Sequence, residues 1–200
     1  MTGIARPRLQ AAERRAALID AALRVFSEGS YRGTTTAEIA RAAGVTEPVL
    51  YRHFASKRDL YLACIEEAWR RLRAEWEETL ATHDPREAFP KMARAVVCGK
   101  DAKFLATEFW MQAVVEAGDD AEVRRFLRKH IREVRAFITD AIRHGQEIGA
   151  VLPDRDPVAE AWIFIAAGLL GTIGRRLGLL EEEDFERIRD ARREWMTGRS

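Results

Sequence analysis

Apolar residues recur through most of this chain at intervals of three and four, the spacing that places them on one face of an α-helix. Glycine, proline and aspartate interrupt the pattern and divide it into nine predicted helices. They cover about 9–28, 35–44, a short stretch from 46, then 56–82, 84–99, 101–118, 119–149, 156–178 and 181–197. Ala, Leu, Arg and Glu are frequent and clear runs of Val, Ile and Thr are absent, so the predicted fold class is all-α.

Capping signals place the starts of the three helices that follow the first one. Thr35 is followed three residues later by Glu38, which is the spacing of a capping box. Thr46 is the predicted N-cap of the third helix, and Pro48 then lies in the first turn, where its missing N–H removes no hydrogen bond. Ser56 is the predicted N-cap of the fourth helix. The proline therefore marks a helix start.

Composition indicates a folded globular protein, because 47% of the residues are hydrophobic and 32% are charged. The net charge of +1 indicates no particular partner. Its distribution is uneven, however: residues 1–58 contain ten Lys or Arg and five Asp or Glu, and the remainder contains 23 and 27. A basic first quarter before a mildly acidic remainder predicts an anion-binding module at the N-terminus.

Targeting and redox features predict a soluble cytoplasmic protein. The N-terminal segment lacks the apolar stretch of a signal peptide. The longest apolar run, residues 161–174, is about six residues short of a membrane span. Cys64 and Cys98 lie within helical patterns and are predicted to be reduced thiols.

The second and third predicted helices are joined by a short turn that contains Gly44, as in a helix-turn-helix unit. In such a unit the later helix enters the major groove of DNA, with its N-terminal residues at the base edges. Leu50 and Phe54 are predicted to face inward, and the segment 51–53, Tyr-Arg-His, outward. Tyr51 packing on the first helix, with Arg52 and His53 simply solvated, is the alternative.

Lys57 lies at the N-terminus of the fourth helix, where the helix dipole disfavours a cation by up to about 1 kcal/mol. A phosphate held jointly by the ammonium group and free backbone N–H groups would reverse that penalty. We therefore predict a phosphate contact at Lys57, against the alternative of a solvated side chain.

The segments TTTAEIARAAGVT (34–46) and LYRHFASKRDL (50–60) resemble the signature of the TetR family of bacterial transcriptional regulators. The resemblance implies an N-terminal three-helix DNA-binding domain over 1–55 and a larger helical ligand-binding and dimerisation domain over 56–200. It implies a homodimer that binds a roughly palindromic operator and leaves it when a small ligand binds. The implied phosphate contacts are Thr35, Tyr51, His53 and Lys57, and the implied base contacts are Thr46, Glu47, Pro48 and Arg52. Thr36 and Val49 complete the predicted DNA-binding residues.

The chain departs from the family pattern at one place in the recognition helix. Where family members often have a small residue or glycine and then threonine, this chain has Pro48 and Val49. This difference alters base readout, so no operator sequence is predicted. Val49 is able to contact a thymine methyl group.

Large apolar side chains dominate the fourth to seventh predicted helices. Trp69 and Trp76 are seven residues apart and so lie on one stripe. Core packing is the alternative for each such residue, but pockets between helices are also lined by aromatic groups with a few polar ones. An apolar or aromatic ligand is predicted. Its candidate contacts are Trp69, Trp76, Met92, Phe104, Glu108, Phe109, Gln112, Phe126 and His130.

The eighth predicted helix is hydrophobic on nearly every side, so it must be covered on every side. Glycines at 168, 171 and 174 would allow another helix to come close. We predict that this helix and the ninth form a four-helix dimer interface, against the alternative of burial within one monomer. The predicted interface residues are Trp162, Ile165, Leu169, Gly171, Ile173, Phe185 and Ile188.

Two other classes of function are weighed against a ligand-controlled repressor. An all-helical metalloenzyme would need His130 and Glu133 to share an ion with His144 and Glu147, but the two pairs are separated by roughly 21 Å along one helix. No enzyme, cofactor or metal site is therefore predicted. A helix-turn-helix regulator without a small-molecule ligand, controlled by a protein partner or by none, is the second alternative.

Overall fold

The computed structural model describes the backbone of residues 5–84, 87–88, 91–92 and 103–198, and the side chains of these residues except 5–9 and 103–106. The described residues form eight helices and contain no strand, which confirms the all-α prediction. The helices are α1 (Ala5–Glu28), α2 (Thr36–Ala42), α3 (Glu47–Tyr51), α4 (Lys57–Thr82), α5 (Lys103–Asp119), α6 (Ala121–Glu147), α7 (Pro157–Leu177) and α8 (Glu182–Thr197). The chain divides into two compact units, Met1–Trp69 and Arg70–Ser200.

Helix bounds agree closely with the predicted ones, with one difference at the start of α1. The predicted start at Leu9 is wrong by four residues, because α1 begins at Ala5 and includes Pro7 in its first turn. Proline removes no hydrogen bond there, since the first N–H groups of a helix have no partner within it. The predicted helix over 84–99 falls mainly outside the described residues; 87, 88, 91 and 92 are helical.

The first unit buries one apolar face of each of its helices. α1 packs against α2, and α2 against α3. As predicted, Leu50 and Phe54 are buried, and Ile39 of α2 is fully covered. Phe26 and Tyr61 meet edge to face with ring centroids 5.1 Å apart. This packing holds the short helices α2 and α3, which are too short to be stable alone.

The turn between α2 and α3 is a Schellman motif centred on Gly44. The Val45 N–H donates to the Ala40 carbonyl at 2.9 Å, and the Gly44 N–H to the Arg41 carbonyl at 3.1 Å. Gly44 has φ +66°, a left-handed conformation that glycine adopts without strain. The turn thus ends α2 and sets the direction in which α3 leaves.

The second unit is built on α6, which packs against both α5 and α7, and α5 also packs against α7. Thr107 of α5 and the fully buried Thr172 of α7 are joined by a hydrogen bond of 2.7 Å. The φ of +60° at Gly178 ends α7, and Gly174 faces Leu180 so closely that an added Cβ would lie 2.6 Å from Leu180 Cδ1. The chain therefore folds back tightly after α7.

Polar contacts fasten α8 to the start of α7. The carboxylate of Glu160, which is buried, pairs with Arg192 and accepts a hydrogen bond from Trp195 Nε1 at 2.8 Å. The Arg155 guanidinium lies 3.8 Å from the centroid of the Trp195 ring and donates from Nε to the Trp195 carbonyl. The last helix is thereby part of the folded unit.

Candidate functional site

The capping box predicted at the start of α2 is present. The Glu38 N–H donates to Thr35 Oγ1 at 3.2 Å, and the Thr35 N–H and hydroxyl donate to Glu38 Oε2 at 2.8 and 2.9 Å. These bonds lower the pKa of the Glu38 carboxyl, with the backbone N–H of Thr35 as the main cause. Thr35 remains exposed, so its hydroxyl lies at the surface where the sequence predicts a phosphate contact.

A hydrogen-bonded group connects the start of α2 with both ends of α3. The buried Thr36 donates from Oγ1 to Glu47 Oε1 at 2.5 Å, and the same Thr36 oxygen lies 3.1 Å from the Tyr51 hydroxyl. We call Thr36, Glu47 and Tyr51 the hydroxyl chain. The sequence predicts all three as DNA-binding residues but contains no signal that they contact one another, because residues 36 and 47 belong to different helices.

The remaining predicted base and phosphate contacts lie around α3 on the outside of the unit. Thr46, Pro48 and Arg52 are exposed, and Val49 and His53 are half-buried. The Thr46 side chain makes no capping hydrogen bond, although Thr46 is the N-cap as predicted. The structure therefore collects these five side chains at the surface of one short helix, where a duplex could reach them together.

Lys57 differs from a freely solvated side chain. Its Nζ donates to the carbonyl oxygens of Tyr31 at 2.9 Å and Thr34 at 3.0 Å, and lies 4.6 Å from the centroid of the Tyr31 ring. Two of its three N–H donors are thus used within the unit. Ser56 accepts from the Asp59 N–H at 3.1 Å, so the predicted cap of α4 is present beside it.

In the second unit, one aromatic group surrounds His130. The imidazole stacks on Phe126 at an interplanar angle of 11° and meets Trp110 edge to face, both at 5.6 Å between centroids. Burial is the main cause that lowers the pKa of His130 to about 4, and the nearby Glu133 carboxylate opposes it. His130 is therefore neutral at pH 7, which suits a site for an uncharged aromatic group.

A second aromatic group lies around Trp76. Its ring stacks against Phe137 at 6.1 Å and meets Phe164 edge to face at 5.6 Å. Phe164 was missed as a pocket candidate because it belongs to the helix predicted to form the dimer interface. Trp69, by contrast, lies in the first unit, where it is buried.

The other predicted ligand contacts are mostly covered. Met92, Glu108 and Phe109 are buried, and Gln112 is half-buried. The side chain of Phe104 lies outside the described residues. Burial of Met92 and Phe109 is compatible with core packing and with the lining of an enclosed pocket, so their ligand contacts stay a prediction.

The second unit also buries several polar atoms. The Glu108 carboxylate forms an ion pair with Arg176, whose side chain is half exposed. Among the described residues, Trp110 Nε1 and Thr139 Oγ1 have no hydrogen-bond partner although both atoms are buried. Buried polar atoms are nearly always paired, so each of these two has an unused capacity to bind a polar atom.

The surface of α7 divides into two faces, and the predicted dimer residues of α7 fall on both, whereas Phe185 and Ile188 belong to α8. Trp162 and Ile173 are exposed, and Leu169 and Ile188 are half-buried. Ile165, Gly171 and Phe185, however, are buried within the chain, so the prediction that they face a partner is not supported by their position. The glycines face α7's own unit.

An apolar stripe runs along the outer face of α7 at helical spacing. Its large side chains are 36–66% exposed. They are Trp162, Ile163, Leu170, Ile173 and Leu177. Exposed apolar side chains that lie together on one face are a common feature of interaction surfaces. We call this apolar stripe the α7 stripe.

By length and composition alone, α7 could also cross a membrane, and it is the one described helix that could. The predicted shortfall of six residues considered only the unbroken apolar run, and the helix extends beyond it at both ends. Such helices are weak evidence of a span, since core helices pass the same test. The buried ion pair of Glu160 with Arg192 and the Thr107–Thr172 hydrogen bond give α7 a packed inner face.

Comparison with known proteins assigns both parts of the chain. Residues 18–64 match the family described as bacterial regulatory proteins, tetR family. Residues 85–196 match the family described as BetI-type transcriptional repressor, C-terminal. The second match covers more than half of the chain.

Relatives that match most of the chain agree with this assignment. The HTH-type transcriptional regulator BetI of Rhizobium meliloti (strain 1021) is 32% identical over 159 residues, which are 78% of this chain and 75% of the relative. The HTH-type transcriptional regulator CymR of Pseudomonas putida is 26% identical over 184 residues, 91% of this chain and 88% of CymR.

Solved structures share the fold. A TetR-family transcriptional regulator from Rhodococcus sp. superimposes with a TM-score of 0.81 at 20% identity, over 93% of this chain and 99% of that one. The reduced form of NemR from E. coli superimposes with a TM-score of 0.76 at 17% identity, over 92% and 98%. The relatives are transcriptional regulators and not enzymes. The chain therefore belongs to the TetR family of bacterial regulatory proteins, with a BetI-type C-terminal part, and is a DNA-binding transcriptional regulator.

Proposed function

We propose that this regulator is a cytoplasmic homodimeric repressor that binds a palindromic operator and is released by a small apolar or aromatic ligand. The N-terminal domain, residues 1–55, holds the DNA contacts except Lys57, and residues 56–200 hold Lys57 and the ligand and dimer contacts. The observation that carries the proposal is the α7 stripe, because a twofold assembly is what turns one short recognition helix into a reader of two half-sites.

The α7 stripe supports a symmetric partner. Trp162 and Leu177 lie near opposite ends of the helix, so the exposed apolar surface extends along most of its length. A second copy would present the same surface, and two such stripes are self-complementary across a twofold axis. Burial of both stripes would remove their apolar side chains from water, which is the main driving force of association.

Surface side chains around α3 support operator binding. Thr46, Pro48 and Arg52 are exposed at and beside α3, and Tyr51 is 49% exposed. Two recognition helices held about 34–36 Å apart, or somewhat farther, would enter successive major grooves on one side of a duplex. Thr35, Tyr51, His53 and Lys57 contact phosphate groups in this proposal, and residues 46–49 with Arg52 contact bases.

The names of relatives support repression. The family that matches residues 85–196 is described as a transcriptional repressor. An activator, FasR of Mycolicibacterium smegmatis, is 49% identical but over 59 residues alone, 30% of this chain. The part of the chain that decides the response to a signal therefore resembles a repressor.

The buried polar atoms support a ligand in the second unit. Trp110 Nε1 and Thr139 Oγ1 lack a hydrogen-bond partner among the described residues, and His130 is held neutral between two aromatic rings. A flat or apolar molecule with one or two polar atoms would suit such surroundings. A ligand that binds better to the dimer with widely spaced recognition helices would shift the population away from the operator-binding state.

The dimer is tested by Leu170→Glu. Sedimentation equilibrium should show a dimer for the parent chain and a monomer for the variant, because a carboxylate in an apolar interface is not compensated. Val115→Glu is the matched control, since Val115 is an apolar residue of α5 that is 65% exposed and is not part of the α7 stripe. A Leu170→Glu protein that remains dimeric would overturn the proposed interface.

Operator binding is tested by selecting bound fragments from the source genome. A selected site with two inverted half-sites about one helical turn apart supports the twofold arrangement. Tyr51→Phe should then weaken binding to all duplexes alike, because it removes a phosphate contact and no base contact. Selected sites with a single half-site would contradict the dimeric readout.

The ligand is tested by tryptophan fluorescence of the DNA-free protein against a metabolite panel. A true ligand should change the emission of Trp110 and also release the selected DNA. His130→Phe and Thr139→Val should weaken the response while the helical circular dichroism is unchanged. Silence across a broad panel would favour the alternative regulator that responds to a protein partner or to none.

A further inference from the structure

The hydroxyl chain has a direction that follows from counting its protons. Thr36 has one hydroxyl proton, and the Glu47 carboxylate only accepts. The 2.5 Å contact between Thr36 Oγ1 and Glu47 Oε1 therefore uses the Thr36 proton. The 3.1 Å contact between Thr36 Oγ1 and the Tyr51 hydroxyl then requires Tyr51 to be the donor.

In the free protein, Tyr51 consequently presents a hydrogen-bond acceptor to the surface, whereas a DNA phosphate needs a donor. Its single hydroxyl proton points to Thr36, so its oxygen offers only lone pairs to solvent. A phosphate oxygen also only accepts. When Tyr51 donates to a phosphate, the two hydroxyl protons no longer suffice for the hydroxyl chain: either the Thr36–Tyr51 bond is lost, or Thr36 turns its proton to Tyr51 and the Thr36–Glu47 bond is lost.

We propose that Glu47 is a positioning residue that sets the direction of the hydroxyl chain and thereby opposes the contact between Tyr51 and DNA phosphate. The inference rests on the phosphate contact of Tyr51 in the proposed function. Because the loss of one hydrogen bond within the hydroxyl chain accompanies every phosphate contact of Tyr51, Glu47 weakens binding to any duplex. Contacts at the correct operator must then compensate for that loss, whereas a random sequence has none to offer.

An amide at position 47 would remove the constraint. The side chain of a glutamine can donate to Thr36 Oγ1, after which Thr36 donates to Tyr51 and Tyr51 donates to phosphate. All three groups then stay hydrogen-bonded when DNA binds. Glu47→Gln should therefore tighten binding by about three- to tenfold, the range expected for one hydrogen bond that is no longer lost.

Glu47→Gln also removes a negative charge, which by itself would strengthen DNA binding. A double-mutant cycle separates this charge effect from the effect on Tyr51. The affinity for a labelled duplex of mixed sequence is measured at one fixed salt concentration for the parent chain, Glu47→Gln, Tyr51→Phe and the double variant. Glu28→Gln is the matched control for charge, because Glu28 is an exposed acid of the same unit outside the hydroxyl chain.

We expect the gain in affinity from Glu47→Gln to be at least threefold larger in the parent chain than in the Tyr51→Phe variant. An equal gain in affinity in both backgrounds, or a gain no larger than that of Glu28→Gln, would show that Glu47 acts only by charge repulsion. Either result would overturn the inference. Weaker binding by Glu47→Gln would also overturn it. An unchanged affinity of Tyr51→Phe alone would instead show that the proposed phosphate contact is absent.

A second variant tests the same inference with Glu47 in place, so the result does not depend on whether Glu47→Gln folds normally. Thr36→Val keeps Glu47 but removes the hydroxyl that receives the Tyr51 proton, so Tyr51 is free to donate to phosphate. It should also tighten binding, and this gain should also vanish beside Tyr51→Phe. A gain from Thr36→Val that persists without the Tyr51 hydroxyl would contradict the proposed route.

Discussion

The ammonium group of Lys57 donates to the carbonyl oxygen of Tyr31 at 2.9 Å, which joins the first residue of α4 to the segment between α1 and α2. The Thr34 carbonyl accepts a second bond from it, and the Tyr31 ring packs on Tyr61 at 4.7 Å between centroids. The lysine therefore supports the segment that leads into the capped start of α2. Its role extends beyond the phosphate contact that its place in the chain predicts.

Lys57→Met should lower the free energy of unfolding of the first unit by about 1–3 kcal/mol, because two carbonyl groups lose a charged donor. Urea denaturation followed by circular dichroism measures this change. Arg52→Met is the control, since Arg52 is exposed, and it should leave stability unchanged. If the third N–H of Lys57 reaches a phosphate, Lys57→Met also changes the salt dependence of DNA binding. The slope of the logarithm of the binding constant against the logarithm of the salt concentration then becomes shallower by about one. An unchanged slope would limit Lys57 to the structural role.

Gly44→Ala should destabilise the first unit by about 1–2 kcal/mol, because a Cβ is strained at a φ of +66°. Nothing lies within 4 Å of the added Cβ, so the whole effect is conformational. Gly118→Ala is the matched control: it lies in α5 with equally open space and an ordinary helical backbone, and should be neutral or slightly stabilising. Equal effects of the two variants on the denaturation midpoint would contradict the strain argument.

His130 should make stability fall as the pH is lowered. Its pKa is about 4 in the folded chain and 6.5 in the reference state, so between these values the unfolded chain binds the proton and the folded chain does not. The loss begins near pH 6.5, is complete near pH 4 and reaches at most about 3 kcal/mol. Urea denaturation across this window measures it.

His130→Phe isolates that contribution, because other acidic groups also titrate in the same window. The variant should lose less stability than the parent chain between pH 6.5 and 4, and the difference should vanish above pH 7 apart from a constant offset. Parallel pH profiles for the two proteins would show that His130 is not held neutral by burial.

Glu160→Gln should lower the free energy of unfolding by about 1–3 kcal/mol, since it leaves Arg192 without its carboxylate beside a buried position. The Glu160 side chain is 6% exposed and also accepts from Trp195. Glu183→Gln provides the comparison, because the Glu183–Arg187 pair is 73% and 70% exposed and is expected to contribute less than about 0.5 kcal/mol. A similar effect of both changes on thermal unfolding would contradict a supporting role for Glu160 at α8.

Local structure could be predicted wherever the signal and its effect lie within one helical turn. The capping box at Thr35, the cap of α4 at Ser56 and the start of α7 after Asp156 each depend on a side chain that meets a backbone N–H two or three residues away. Their geometry needs no distant partner. The start of α1 was misjudged because Pro7 was compatible with either a tail or a first turn.

Contacts between helices could not be predicted in the same way. The bond from Thr36 to Glu47 and the bonds from Lys57 to Tyr31 and Thr34 join residues 11 to 26 positions apart. The residue types are compatible with solvent exposure, so composition alone does not reveal the pairing. Only the packing of α2 against α3, and of the loop against α4, decides which donor meets which acceptor.

The division of α7 into an inner and an outer face shows the same limit. By itself the sequence determined that this helix is apolar on nearly every side and must be covered, because a helix without a polar face has no preferred side for water. The sequence has no alternation of apolar and polar positions here that would distinguish Leu170, which is exposed, from Gly171, which is buried. The tertiary structure decided this, because α5 and α6 fill one side of α7 and leave the other as the apolar stripe.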